Sequence, residues 1–271
     1  MKEVLLLDFK SVFRNNKFKL IALIIFSIPA ITFLFNCYRS MEIPIELVRS
    51  GAEQNFLTGM SSREIKLWFI LILPLLSMLL CSDIYSIQYN NGTCDHIITR
   101  CGNTKYILSK IIVVFTVTFG VIFFSLLTNQ ILTLIAFPTK ALDSARNLPA
   151  FDIGYFNYHK SEFLDIIRVK NIYIYNVIYE LIYALIGGAY SLSALGLSFF
   201  VKKSRIFILA LFVVYFGIYQ IFSSWGLDKY HINSYLDASG AGNYVFILWI
   251  IVLTVIPSLL TIIHLNNKND I

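Results

Sequence analysis

The chain has 271 residues, 57% of them hydrophobic and only 14% charged, with a mean hydropathy of +0.71. Soluble domains carry about 25% charged residues, so water is excluded as the solvent for most of this surface and lipid takes its place. The net charge is +6, but the basic residues lie between apolar runs, a distribution that fits topology signals in a bilayer and argues against nucleic acid as a partner.

Residues 2–18 come first. Leu5, Phe9, Val12 and Phe13 follow helical spacing, while Lys2, Asp8, Lys10, Arg14 and Asn15 fall mostly elsewhere on the wheel. This pattern predicts an amphipathic helix lying in the headgroup layer of a bilayer. The apolar run behind it is read as a retained helix rather than a signal peptide. Its exit, Phe35-Asn36-Cys37-Tyr38, lacks the small residues a cleavage site needs.

Six apolar runs follow along the chain. They predict an all-α polytopic membrane domain over residues 1–271, with spans at about 20–36, 66–82, 110–137, 175–200, 206–222 and 244–263. Pro29 and Pro74 fall inside the first two, which membrane helices tolerate. With the N-terminus inside, the segments 1–19, 83–110, 201–205 and 264–271 carry 12 Lys and Arg in 60 residues. The external segments 36–66, 138–174 and 223–243 carry 10 in 89. Both termini are therefore expected in the cytoplasm. The short loop Lys202-Lys203-Ser204-Arg205 is the strongest single signal. Lys202, Lys203 and Arg205 read either as a second cytoplasmic contact or as topology determinants alone.

The segment 83–110 is the most informative. Asn90-Asn91-Gly92 signals a turn, Thr93 is placed to cap a short helix over Cys94 to Cys101, Asp95 lies near its positive end, and Gly102 stops it. The four cysteines, Cys37, Cys81, Cys94 and Cys101, form no CxxC pair and no zinc spacing with histidine. No GxxxxGK[ST] phosphate loop occurs anywhere, so no nucleotide-binding domain is expected in this chain.

These residues resemble those of the ABC-2 type transporter permeases. In that family an interfacial helix precedes six spans. A Gly-Thr after the second span is followed by an apolar stretch, a basic residue and a Lys where the third span begins. Here the order is Gly92-Thr93, Ile97-Ile98, Thr99-Arg100, Lys105-Tyr106 and Ser109-Lys110. The likeness covers the six-span layout, and its motif spans about 20 residues. Gln88, Tyr89 and Asn90 stand where members often carry an acidic residue, and the proline common before the basic residue is missing.

The resemblance implies a multi-pass permease subunit of a bacterial cell membrane. It implies a coupling helix formed by Gly92, Thr93, Cys94, Asp95, His96, Ile97, Ile98 and Arg100, with Lys105 and Lys110 behind it. The implied partners are a separate cytosolic ATPase that binds ATP and Mg, and a second permease copy or a related permease. The implied cargo is a peptide or another hydrophobic or amphipathic compound, with antimicrobial peptides among them.

Further along, Glu180 is the one ionisable residue inside a span. Tyr175, Tyr179, Tyr183 and Tyr190 lie nearby. With Tyr183 it forms a candidate substrate path for cationic cargo. The plainer reading, an aromatic belt with a carboxylate snorkelling to the interface, is preferred. Gly187, Ser191, Ala194 and Ser198 share a face, with Ala184 and Gly188 beside it, a stripe suited to close helix packing. Glu162 to Ile174 is expected to form a helix on the outer surface.

Two other classes stand against the permease reading. An intramembrane enzyme needs paired catalytic groups at membrane depth, and the sequence shows none. An ion-coupled secondary transporter usually shows repeats or several buried charges, and the spans here are nearly free of charge. A non-transporting anchor or sensor subunit is the remaining alternative.

Overall fold

The computed structural model describes residues 2–41, 43–44, 48–59, 62–81, 84–139, 164–199, 204–227, 230–236 and 245–267. Every regular element among them is helical. In chain order these are α1 Lys2–Arg14, α2 Asn16–Ser40, α3 Arg63–Cys81, α4 Ile84–Asn90, α5 Thr93–Cys101, α6 Asn103–Ala136, α7 Asp165–Lys170, α8 Ile172–Ser198, α9 Ser204–Ser224 and α10 Val245–Asn267, with a single 3-10 turn at Ile232–Tyr235.

Four stretches are long and apolar enough to cross a bilayer: α2, α3 read through α4, α6 and α8. The chain is therefore a membrane protein. The fifth and sixth apolar runs are helical too, as α9 and α10, but their described apolar stretches, Leu209–Ser224 and Val245–Leu259, fall short of a full crossing.

The helices outrun the apolar runs that announce them. Asn15 caps α2, its side-chain oxygen accepting from the Lys17 amide at 3.0 Å, so the helix begins four residues before residue 20. Asn171 caps α8 in the same way, accepting from Tyr173 and Ile174, and the helix starts at Ile172 rather than 175. The surface helix expected over Glu162 to Ile174 is accordingly only α7. In all these places a polar cap, not the loss of hydropathy, fixes the boundary.

α8 is the central helix, buried along most of its length. It packs against α6, α3 and α10, while α2 packs on α6 and α3. The small-residue stripe lies inside this bundle. A side-chain carbon at Gly187 would meet Ile122 at 2.2 Å, and one at Gly188 would meet Phe115 at 2.7 Å. Gly196, which the stripe omitted, lets Pro257 of α10 approach so closely that a Cβ would sit 2.4 Å from its ring. Lipid gives helices no hydrophobic reason to associate, so this approach of backbone to side chain, together with interhelical hydrogen bonds, holds the bundle together.

Pro29 bends no rule. It has no amide hydrogen for the Ile25 carbonyl four residues earlier, and the Ser125 hydroxyl of α6 donates to that carbonyl at 3.2 Å instead. Asn129, one turn further along α6, donates to the Pro29 carbonyl at 2.7 Å.

Candidate functional site

Two polar sites sit at opposite ends of α6. The first is the helical elbow α4–α5–α6. Gly92, at φ +67°, turns the chain between α4 and α5, and Gly102, at φ +79°, turns it between α5 and α6. The expected Thr93 cap is corrected. Gly92 occupies the cap position without a side-chain bond, because the reversal there needs a left-handed backbone. Thr93 is the first residue of α5, and its hydroxyl donates back to the Gln88 carbonyl at 3.2 Å.

α5 has two faces. Cys94 is buried, and Ile97, Ile98 and Cys101 are half-buried at helical spacing behind it. Thr93, His96, Thr99 and Arg100 are exposed, as is Lys105 in the first turn of α6. Of the sequence-derived set, then, Cys94, Ile97 and Ile98 seat the helix and Thr93, His96, Arg100 and Lys105 present it. The Asp95 side chain, Lys202 and Lys203 lie outside the described residues. Arg205 falls in the first turn of α9, its side chain likewise undescribed.

Lys110 presents nothing to the surface. It is fully buried and paired with Asp8 of α1, itself 1% exposed. The Ser109 hydroxyl donates to the other Asp8 oxygen at 2.7 Å, and the Gln88 amide donates to Asp8 at 3.0 Å. Tyr106 donates to the Gln88 side-chain oxygen at 2.9 Å, its ring 4.7 Å from the Lys110 nitrogen, and its hydroxyl lies against Cys94. Thus one network ties α1, α4, α5 and α6 together.

This corrects the reading of α1. Asp8 falls off the apolar face expected from Leu5, Phe9, Val12 and Phe13, yet Val4, Asp8 and Val12 form the buried edge and Phe13 is exposed. An ion pair with a lysine 102 residues away outweighs the local hydropathy pattern. The signal available was Lys110 itself, a charge early in a long apolar helix and in need of a counter-charge.

The second site, at the far end of α6, escaped the sequence reading. Residues 50–57 are not a solvated loop; all are buried. Their backbone groups are met by side chains of four helices. Asn36 of α2 donates to the Gln54 carbonyl at 2.7 Å. Lys66 of α3 donates to the Leu57 carbonyl at 3.1 Å. Asn129 of α6 accepts from the Phe56 amide at 2.9 Å, and Asn176 of α8 donates to the Ala52 carbonyl at 3.0 Å. Buried irregular backbone needs its polar groups satisfied in this way. The sequence signal for it is the amides: Asn36, Asn129, Gln130 and Asn176 stand in or beside apolar runs.

Glu180, one turn below Asn176, does not snorkel. It is 0% exposed and turned into the bundle beneath this plug. The Asn55 amide faces it, yet neither carboxylate oxygen completes a hydrogen bond. The burial of α8 between three helices leaves the carboxylate no route to the interface. Tyr183 is also fully buried. Its hydroxyl donates to the Leu236 carbonyl at 2.5 Å, and its ring stacks on Phe69 at 6.2 Å.

No protein-family model matches the chain, and no curated protein or solved structure is significantly similar to it.

Proposed function

We propose that the chain is the membrane subunit of an ATP-driven exporter whose nucleotide-hydrolysing subunit is a separate polypeptide. The observation that carries this reading is the placement of α5. It is a short helix with an exposed Thr93–His96–Thr99–Arg100 face, jointed at both ends by glycine, between two membrane-crossing stretches. A partner that pushes α5 moves α6 through Gly102 and reaches α1 and α4 through the Asp8–Lys110 network. The order of residues from Gly92 to Lys110 supports the ABC-2 type likeness. Under this reading the ATPase binds ATP and Mg, two permease subunits form the path, and the cargo is a peptide or another amphipathic compound moving past Glu180 and Tyr183.

The test is a tagged purification from the native host in mild detergent, followed by an ATPase assay. A soluble ATPase with a phosphate-binding loop is expected to co-purify, and His96→Asp with Arg100→Glu is expected to release it. If no ATPase accompanies the chain under conditions that keep a known exporter complex intact, the reading fails.

One observation favours a second reading. The buried, unpaired carboxylate of Glu180 is the kind of group ion-coupled transporters use. Cation-driven uptake or efflux in proteoliposomes without ATP, abolished by Glu180→Gln, would replace the first reading with this one.

A further inference from the structure

Four buried polar atoms where α8 meets the plug have no hydrogen-bond partner: both oxygens of Glu180, the side-chain nitrogen of Asn55 and the side-chain oxygen of Asn176. All three residues are 0% exposed. Asn176 and Glu180 stand one turn apart on α8, and both address the plug, Asn176 through the Ala52 carbonyl and Glu180 through the Asn55 amide. The other end of each amide fixes its orientation. Asn55 Oδ1 accepts from the Leu57 amide at 3.0 Å, which leaves its NH2 group for Glu180. Asn176 Nδ2 donates to Ala52, which leaves its oxygen, an acceptor, on the side of Glu180.

An ionised Glu180 can only accept. It would suit the Asn55 nitrogen but would meet the Asn176 oxygen acceptor to acceptor. Its charge would also be buried without a counter-ion, since no cation among the described residues reaches either oxygen. A water between the groups would satisfy the amides and leave that charge in place. A metal cation would be met on one side by the Asn55 NH2, a donor. One proton on Glu180 resolves all four atoms: the carboxyl oxygen accepts from Asn55, and the hydroxyl donates to Asn176.

The charged and titratable groups on the surrounding elements are engaged elsewhere. Lys66 of α3 donates to the Leu57 carbonyl, and Glu53 of the plug lies 3.9 Å from Arg49. Asp165 of α7 pairs with Arg168. On α8 itself, Tyr183 donates to the Leu236 carbonyl and Tyr179 packs on Tyr175. α6 beyond Lys110 and the stretch Val245–Leu259 of α10 carry no titratable residue.

We propose that Glu180 is a proton-binding site that locks the plug, its carboxyl bridging Asn55 and Asn176 only while it carries the proton. Loss of the proton breaks the bridge and loosens residues 50–57 from α8. The inference concerns the same carboxylate as the ion-coupled reading, but it requires only the seated plug and not transport.

The experiment is infrared difference spectroscopy of the full-length chain in mild detergent at neutral pH, natural sequence against Glu180→Gln. A protonated carboxylic C=O band that shifts in heavy water is expected in the natural chain and absent from the variant. Asn55→Leu and Asn176→Leu are each expected to move that band to higher frequency as a hydrogen bond is lost. Asn55→Ala or Asn176→Ala replaces a leucine variant whose melting curve shows that it does not fold. Glutamine mimics the protonated acid at every pH, with its oxygen toward Asn55 and its NH2 toward Asn176. The folded natural chain keeps a proton that the unfolded chain releases above the ordinary carboxylate range, so its stability falls as pH rises. Relative to Glu180→Gln, its folding equilibrium is expected to weaken by up to about tenfold per pH unit, the effect of one proton, until the folded carboxyl ionises. The proposal is overturned if Glu180→Gln removes no carboxylic band, if neither amide variant moves it, or if the stability gap does not change with pH. A chain that moves no cation in proteoliposomes still shows the band, so failure of the ion-coupled reading and failure of this one are told apart.

Discussion

Asp8 and Lys110 stabilise each other only as a pair. In a buried ion pair, removing one member leaves the other charge uncompensated and costs about 3 to 5 kcal/mol, whereas replacing both with apolar residues is often neutral. Lys110→Met alone is expected to lower the melting temperature in detergent sharply. Asp8→Leu with Lys110→Met is expected to recover most of the loss; an additive double variant would show that the two do not interact. Asn129 also serves two partners at once, the Phe56 amide and the Pro29 carbonyl. Asn129→Leu should cost about 2 to 6 kcal/mol, since each of the two buried groups left without this partner accounts for about 1 to 3, and the same melting curve measures it. Residue types alone revealed little of this. Lys110 is legible as an unusual charge, but its partner is hidden because Asp8 sits among basic residues off the expected apolar face of α1. The charge of Glu180 is legible but its burial is not, because sequence distance to Asn176 says nothing about which neighbours surround a helix.

The helices themselves were readable. Apolar runs located each long helix, and the turn residues around position 92 located α5 to within one residue. What they could not supply was the capping chemistry, which depends on backbone conformation. At Gly102, φ +79° and ψ 153° lie in a region essentially reserved for glycine, and no atom crowds a Cβ there. Gly102→Ala should therefore cost about 1 to 3 kcal/mol through backbone strain alone. If α5 transmits motion to α6, the same substitution also lowers ATPase-driven transport more than it lowers protein yield. Gly196 and Gly217 form a contrasting pair. Gly196→Ala is expected to lower the melting temperature by forcing Pro257 and α10 away from α8. Gly217→Ala, with open space around it, is expected to hold or raise the melting temperature because alanine favours helix by about 1 kcal/mol. Equal shifts for the two would show that close approach at Gly196 does not matter to the bundle.

Along α6 the two polar sites measure the bilayer. Lys110 and Asn129 are 19 positions apart, about 28 Å at 1.5 Å per residue, close to the roughly 30 Å of a hydrocarbon core. The 34 residues of α6 amount to about 51 Å, and the excess is divided evenly between the turns before Lys110, beside α5, and those after Asn129. Membrane-impermeant maleimide labelling of single cysteines at Arg100 and Arg49 in intact cells tests the orientation argued from charge. Position 49 should react from outside and position 100 only after permeabilisation; the reverse result would invert the topology. The six-run pattern anticipated the membrane class and the four long apolar helices, while the plug was invisible because its stability lies in partners far along the chain. That distance sets an order of assembly. The Phe56 amide waits for a side chain 73 residues later, and the Ala52 carbonyl for one 124 residues later. During synthesis the first two crossings therefore stand with an open, hydratable segment between them until α6 and then α8 arrive. All of these backbone groups can be paired only once α8 has docked, so the plug records that α6 and α8 are both in place.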